Sequence, residues 1–216
     1  MMRVPYTLFN ASSLEAIKRS AKSISNLVTH LRDFSRGVTE RKETIDPGRI
    51  IEDALFITQS RTQKNAITVK VFVEQDCYFA SGCPNQIEQV FANLISNGCD
   101  AMKKCELREL SISIDAEQND DEEYWECVFS DTGDGITEDA RETVFESFFT
   151  TKEKGKGTGL GLSIVRGIVH DHDGSINFDP ASSGTTFRVY LPRVAPPLIC
   201  PRKNETGVRA GTTLTR

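Results

Sequence analysis

Asn93 and Asn97 lie in the run from Gln86 to Met102, spaced so that they share one face of a helix. Their amide oxygens are neutral ligands that suit a hydrated magnesium ion carrying phosphates, although two solvated polar residues give the same spacing. A second group, Asp131-Thr132-Gly133-Asp134-Gly135-Ile136, follows directly on a strand pattern. A carboxylate at a strand end can accept from an exocyclic amine, and glycines let backbone approach a flat ring that any Cβ would block; a plain turn can carry the same D-x-G-x-G pattern. A third group, Gly155-Lys156-Gly157-Thr158-Gly159-Leu160-Gly161-Leu162, runs straight into a helix pattern. The N–H groups of such a loop and of the helix start make an anion site, and Lys152, Lys154 and Lys156 add positive charge. A dinucleotide-binding turn is disfavoured, because no βαβ unit with an acidic residue roughly 20 positions on surrounds the loop. No G-K-[ST] closes it, which excludes a P-loop. A fourth group, Gly184-Thr185-Thr186-Phe187, enters the last strand, where a hydroxyl can reach the same base as Asp131.

These groups need elements to hold them. Leu14, Ile17, Ala21, Ile24, Val28 and Leu31 step by 3, 4, 3, 4, 3, a heptad seam that predicts one long helix over 12–37, capped by Ser12 or Ser13 and ended by Gly37. Such a seam suits a partner helix better than a sheet. Thr39 to Thr44 reads as a polar linker. Asp46-Pro47 is a cap followed by proline at the first helical position, and Ile50, Ile51, Ala54 and Leu55 give that helix its buried stripe to about Ser60. Alternation at Ile67, Val69, Val71 and Val73 predicts a strand over 66–73, with a short one from Cys77 to Ala80. Pro84 opens a helix to about Lys104. Strands over 110–116 and 124–130 flank an acidic turn, 132–159 is irregular, 160–170 is helical, and strands near 175–179 and 185–191 close the pattern. This order predicts an α+β two-layer sandwich, one mixed sheet with helices on one face. The domain plan is a leader over 1–11, the helix over 12–37, the main domain over 43–192 and a disordered tail over 193–216.

The chain has 216 residues, a formal charge of −5 and 38% hydrophobic residues. That is enough apolar mass for a core, and the acidic balance argues against a nucleic-acid binder that relies on bulk charge. No stretch approaches the roughly 20 apolar residues that cross a bilayer, and Met1 to Asn10 has no signal-like apolar core. The six cysteines form no C-x-x-C and have no histidine at metal-ligand spacing, which points to reduced thiols in a cytoplasmic setting.

Together and in this order, the four groups and the segment from Phe145 to Lys152 resemble the N box, first glycine box, F box, second glycine box and final G-T-x-F of sensor histidine kinases of two-component systems. The F-box match is Phe145-Glu146-Ser147-Phe148-Phe149-Thr150-Thr151-Lys152. The motif-bearing resemblance covers about residues 83–192, is most like the nitrogen-regulation and dicarboxylate-sensing branch, and extends more weakly to Leu31-Arg32-Asp33-Phe34-Ser35-Arg36, similar to the end of the family's second dimerisation helix. The resemblance implies a catalytic module that binds ATP and Mg²⁺. Asp131 would take the adenine amino group, with Gly133, Gly135 and Ile136 against the ring and Thr185 in support. Asn97 would hold the metal with Asn93 beside it. Lys152 with the stretch Gly155, Gly157, Thr158, Gly159, Leu160 and Gly161 would cover the triphosphate. The implied partners are a second copy through the 12–37 helix, an acceptor-histidine helix and a response regulator.

The family's acceptor histidine is followed by Asp or Glu, with proline five positions on. His30, His170 and His172 all fail that pattern, so the expected chain is a kinase fragment lacking its acceptor helix. His172-Asp173-Gly174 instead resembles a structural turn before a strand. Gyrase, the heat-shock chaperone and mismatch-repair ATPases share the fold and carry a glutamate where Asn93 stands; an amide cannot take a proton from water, which disfavours fast hydrolysis. Two alternatives stay open: a non-catalytic ATP-binding and dimerisation module that engages an intact kinase, and a slow ATP hydrolase.

Overall fold

A computed structural model describes residues 42–73, 79–119, 122–152, 157–180, 184–194 and 212–214. The leader over 1–11 and the predicted helix over 12–37 lie outside the described residues, as does Gly155.

Helix α1 (Pro47–Lys64) begins where its sequence demands. The Asp46 carboxylate accepts from the backbone N–H groups of Gly48 at 2.9 Å and Arg49 at 3.3 Å, and Pro47 occupies the first turn. Helix α2 (Pro84–Ala101) also starts on proline. Ile87, Val90, Phe91, Leu94, Ile95, Gly98 and Cys99 make its buried face, while Asn93, Asn97 and Asp100 stand on the other. It ends at Ala101, three residues before the sequence expectation, and Met102 is buried as its cap. Helix α3 (Gly161–Asp171) buries Val165, Ile168 and Val169.

The sheet holds β1 (Glu43–Ile45), β2 (Thr68–Val73), β3 (Phe79–Gly82), β4 (Glu109–Asn119), β5 (Glu122–Asp131), β6 (Ser175–Pro180), β7 (Thr185–Val194) and β8 (Thr212–Leu214). Their order is β1-β3-β7-β5-β4-β2-β8, with β6 also paired to β7. The β2–β4 pair is parallel and the other pairs are antiparallel, so the sheet is mixed as expected. Alternation decides the layers. Leu110, Ile112 and Ile114 of β4, Trp125, Cys127 and Phe129 of β5, and Phe187, Val189 and Leu191 of β7 are buried and share one core with the helices. Glu126, Arg188 and Tyr190 lie on the alternate face, where Arg188 donates to Glu126 and Asp179, each at 2.8 Å. Among the described residues, the helices therefore cover one face of the sheet.

Two assignments differ from the sequence expectation. Thr44 was expected in a linker, yet Glu43–Ile45 pairs with β3 and buries Ile45. The pairing partner is remote in sequence, so no local pattern announces it. The tail expected over 193–216 is not featureless: Arg193 and Val194 continue β7, and Thr212–Leu214 adds an antiparallel edge to β2. A three-residue strand is below the length at which alternation is readable.

Candidate functional site

Asp131 is the last residue of β5, paired in register with Leu110 of β4 and Thr185 of β7. The two-residue period of β5 places it on the helix-covered side with Phe129 and Cys127, and it is 7% exposed. Its Oδ1 accepts the Gly133 N–H at 2.8 Å. Burial pushes its carboxyl above the usual carboxylate range, opposed by the backbone N–H donors of Gly133 and Thr185. Helix α2 passes directly over it. A Cβ on Gly98 would stand 3.4 Å from the Asp131 Cβ, and one on Gly133 would stand 2.6 Å from the Ala101 Cβ and 2.7 Å from Asp131 Oδ1. At position 133 only a residue without a side chain lets helix, loop and carboxylate meet this closely. Thr132 ties the loop down: its hydroxyl donates to the Leu107 carbonyl at 2.9 Å and accepts from the Glu109 N–H at 3.0 Å. Gly135 and the partly buried Ile136 follow, Ile136 packed against the core. Thr185 is buried beside Asp131.

Asn93 and Asn97 stand on the exposed side of α2 and face the start of α3. A Cβ on Gly161, the first residue of α3, would lie 3.8 Å from Asn97 Nδ2 and 4.0 Å from Asn93 Oδ1. Asn93 Nδ2 is buried with no hydrogen-bond partner among the described residues. Lys152 reaches the same place from the irregular segment after β5: its Nζ donates to Asn97 Oδ1 at 3.4 Å and to Asp100 Oδ2 at 2.6 Å. The N–H groups at the start of α3 point at this gap by the geometry of any helix N-terminus.

The F-box turn and second glycine box are fastened together. The Phe148 N–H donates to the Gly159 carbonyl at 2.7 Å, and both residues have positive φ, 72° and 66°. A Cβ on Gly159 would run into the Phe148 carbonyl, so glycine is required there on two grounds. Phe148 itself, 69% exposed, accepts a conformation that costs roughly 1–2 kcal/mol for an L-residue. Gly157 packs on Thr150 and Lys152, and Leu160 N–H donates to the Thr158 hydroxyl at 3.4 Å.

The sequence-predicted residues thus gather along one helix: Asp131, Gly133 and Thr185 by its Gly98–Ala101 end, and Asn93, Asn97, Lys152 and Gly161 along its polar face. The sequence reading passed over three participants. Asp100 lies beyond Asn97 on the same stripe and meets Lys152, Lys103 (2.6 Å) and Arg61 of α1 (3.8 Å). Burial raises its pKa, but hydrogen bonds from Lys103 and Lys152 and the nearby cationic charge outweigh it, so the net shift is downward. Its stripe position was a usable signal; Arg61 gave none. Among the described residues no group of three or more His, Cys, Asp or Glu is placed to hold a metal ion. A metal here would rest on amide oxygens and on phosphates, and the orphaned Asn93 amide beside the open cradle at Gly161 fits Mg-ATP.

His172, also outside the predicted site, is buried and neutral. It accepts the Cys83 N–H on Nε2 at 2.9 Å while Nδ1–H donates to the Ile168 carbonyl at 2.7 Å. It thereby fastens the start of α2 to the end of α3.

The family model described as histidine kinase-, DNA gyrase B- and HSP90-like ATPase matches residues 82–195, more than half of the chain. Sensor kinase CckA of Brucella abortus is 39% identical over 188 residues, covering 82% of this chain and 20% of that protein. The C4-dicarboxylate transport sensor protein DctB of Rhizobium meliloti is 30% identical over 191 residues, covering 86% of this chain and 29% of its own length. The chain therefore corresponds to a minor part of either relative. Among solved structures, the catalytic domain of histidine kinase ThkA superposes with a TM-score of 0.58 at 26% identity, covering 70% of this chain and 95% of that one. Full-length ShkA in complex with AMPPNP shares the fold with a TM-score of 0.67 at 20% identity, covering 89% of this chain and 41% of that one. No helix among the described residues is long and apolar enough to cross a membrane.

Proposed function

Because the chain belongs to the histidine kinase-, DNA gyrase B- and HSP90-like ATPase family, as the ATP-binding module of a sensor histidine kinase, we propose that it donates the γ-phosphoryl of Mg-ATP to a histidine on a dimerisation helix, for relay to a response-regulator aspartate. The observation that carries this reading is the convergence of Asn93, Asn97 and Lys152 on the N-terminus of α3, along the same helix that covers Asp131.

Asp131 accepts the exocyclic amine of adenine, with Gly133, Gly135 and Ile136 flanking the ring and Thr185 beside the carboxylate. Asn97, assisted by Asn93, holds the metal. Lys152, Gly155, Gly157, Thr158, Gly159, Leu160 and Gly161 meet the phosphates. Mg²⁺, when bound, would offset the charge of the phosphates. Phosphoryl transfer asks the protein mainly for positioning and charge neutralisation; Lys152 and the α3 N–H groups supply both. Asn93 stands where a hydrolase needs a base, and an amide takes no proton at neutral pH, so transfer is favoured over hydrolysis. The described histidines are poor acceptors: His172 has both ring nitrogens engaged, and His170 is followed by Asp171 but by Ser175 where proline is needed. Dimerisation through the 12–37 helix belongs to the same proposal.

Mixing the chain with a protein that carries an acceptor helix, in γ-labelled ATP and magnesium, should give acid-labile, base-stable label on the acceptor. Asp131→Asn should give much less at an ATP concentration near the Kd of the parent. Bound nucleotide without any labelled histidine would refute the transfer.

A further inference from the structure

Asp100 is only 12% exposed, yet it meets three cations. Lys152 Nζ lies 2.6 Å from Oδ2, Lys103 Nζ lies 2.6 Å from Oδ1, and Arg61 Nη1 lies 3.8 Å from Oδ2. Building on the nucleotide reading above, we propose that Asp100 is a positioning residue: its carboxylate is a resident anion that keeps Lys152 beside Asn97 until the polyphosphate of ATP takes the ammonium from it.

Three features lead to this. Lys152 comes from neither helix nor strand, so its ammonium is fixed by what it meets, namely Asp100 and Asn97. A carboxylate this buried tolerates no unpaired charge, but Lys103 and Arg61 remain when Lys152 leaves, so the exchange orphans nothing. Lys103 stands in the turn that follows α2, where its backbone N–H donates to the Asp100 carbonyl, and Arg61 is on α1, so both are held by elements other than the segment that carries Lys152. Three cations around one carboxylate leave positive charge in surplus at Asp100, which favours an entering polyphosphate. Asp100 and the polyphosphate are therefore competitors for one ammonium, and a strongly anionic ligand is what displaces the pair.

Competition fixes the sign of the test. Asp100→Asn should bind Mg-ATP roughly three- to tenfold more tightly than the parent, the scale of one partly exposed ion pair. Adenosine, which carries no phosphate, should bind both equally. The gain should vanish in a Lys152→Met background, and Asp100→Glu should behave as the parent. In nucleotide-free protein, reductive methylation followed by peptide mass spectrometry should modify Lys152 several-fold faster in Asp100→Asn than in the parent or in Asp100→Glu. Weaker or unchanged Mg-ATP binding in Asp100→Asn, or unchanged Lys152 labelling, overturns the proposal; so does a gain that persists without Lys152. If adenosine fails to bind even the parent, the purine reading falls, while the labelling comparison still decides the Asp100–Lys152 pair.

Discussion

Asp131 is asked to be a carboxylate in a place that disfavours one. Burial raises its pKa above the unfolded value, and the N–H donors of Gly133 and Thr185 recover only part. A raised folded pKa means that its stabilising contribution is present in full below the unfolded pKa and is lost as pH rises through the folded one. In nucleotide-free protein, the stability of the parent relative to Asp131→Asn should therefore fall as pH climbs from about 3 toward neutrality and level off once the carboxylate is ionised; urea titrations of both proteins across that range measure it. The same substitution should weaken ATP binding by about 1.5–3 kcal/mol, because one amide oxygen cannot serve two backbone N–H groups and an incoming amine; isothermal calorimetry checks this. Asp131, Asn93 and Asn97 were legible in the sequence because each sits in a short pattern with its own chemistry. Asp100 shares the helix stripe but was not read as part of the site, since its meaning depends on Lys152 and on Arg61 of another helix. Contacts between elements leave no local spacing to read.

At the scale of elements, α2 has to be both core and site, and Gly98 marks the conflict. A Cβ would meet the Cδ1 of the buried Leu110 at 3.3 Å and the Asp131 Cβ at 3.4 Å, contacts that a shift of a few tenths of an ångström relieves. Relief of glycine's backbone entropy outweighs that approach, so Gly98→Ala should stabilise the domain by about 0.5–1 kcal/mol, read as a higher urea midpoint at unchanged slope. His172 couples α2 to α3. Burial lowers its pKa, so its contribution is complete above the ordinary histidine value of 6.5 and is lost as pH falls below it through the folded value. The denaturation midpoint should drop on acidification through that window, and His172→Asn should flatten this pH dependence. Periodicity revealed α1, α2, α3 and the long strands, each with enough residues to show 3.6 or 2.0 spacing. The short β1 and β8 escaped it, because three residues carry no period and exist through partners distant in sequence.

For the whole molecule, the decisive arrangement is that one helix belongs to everything. The apolar face of α2 packs into the single core through Ile87, Val90, Phe91 and Leu94, with Phe91 and Phe129 centroids 5.3 Å apart, while its polar face carries Asn93, Asn97 and Asp100. Phe91→Ala should cost about 3–5 kcal/mol by opening a cavity under the site, and loss of ATP affinity should track the lost stability, as paired denaturation and calorimetry will show. The converse coupling is stronger. A ligand held by Asp131 at one end of α2 and by Asn97 and Lys152 along it cannot stay bound once α2 leaves the sheet, so its binding energy adds to global unfolding and not to a local opening. At a hundredfold excess over Kd this adds about 2.7 kcal/mol, which in a domain of this size raises Tm by roughly 5–10 °C. Scanning calorimetry with Mg-ATP should show that shift in the parent and at most about half of it in Asp131→Asn. Lys152→Met should fall between them, since it keeps the base contact and loses only the phosphate one. A nucleotide that bound without raising Tm would mean that it binds the unfolded chain equally well, so that its site does not depend on α2.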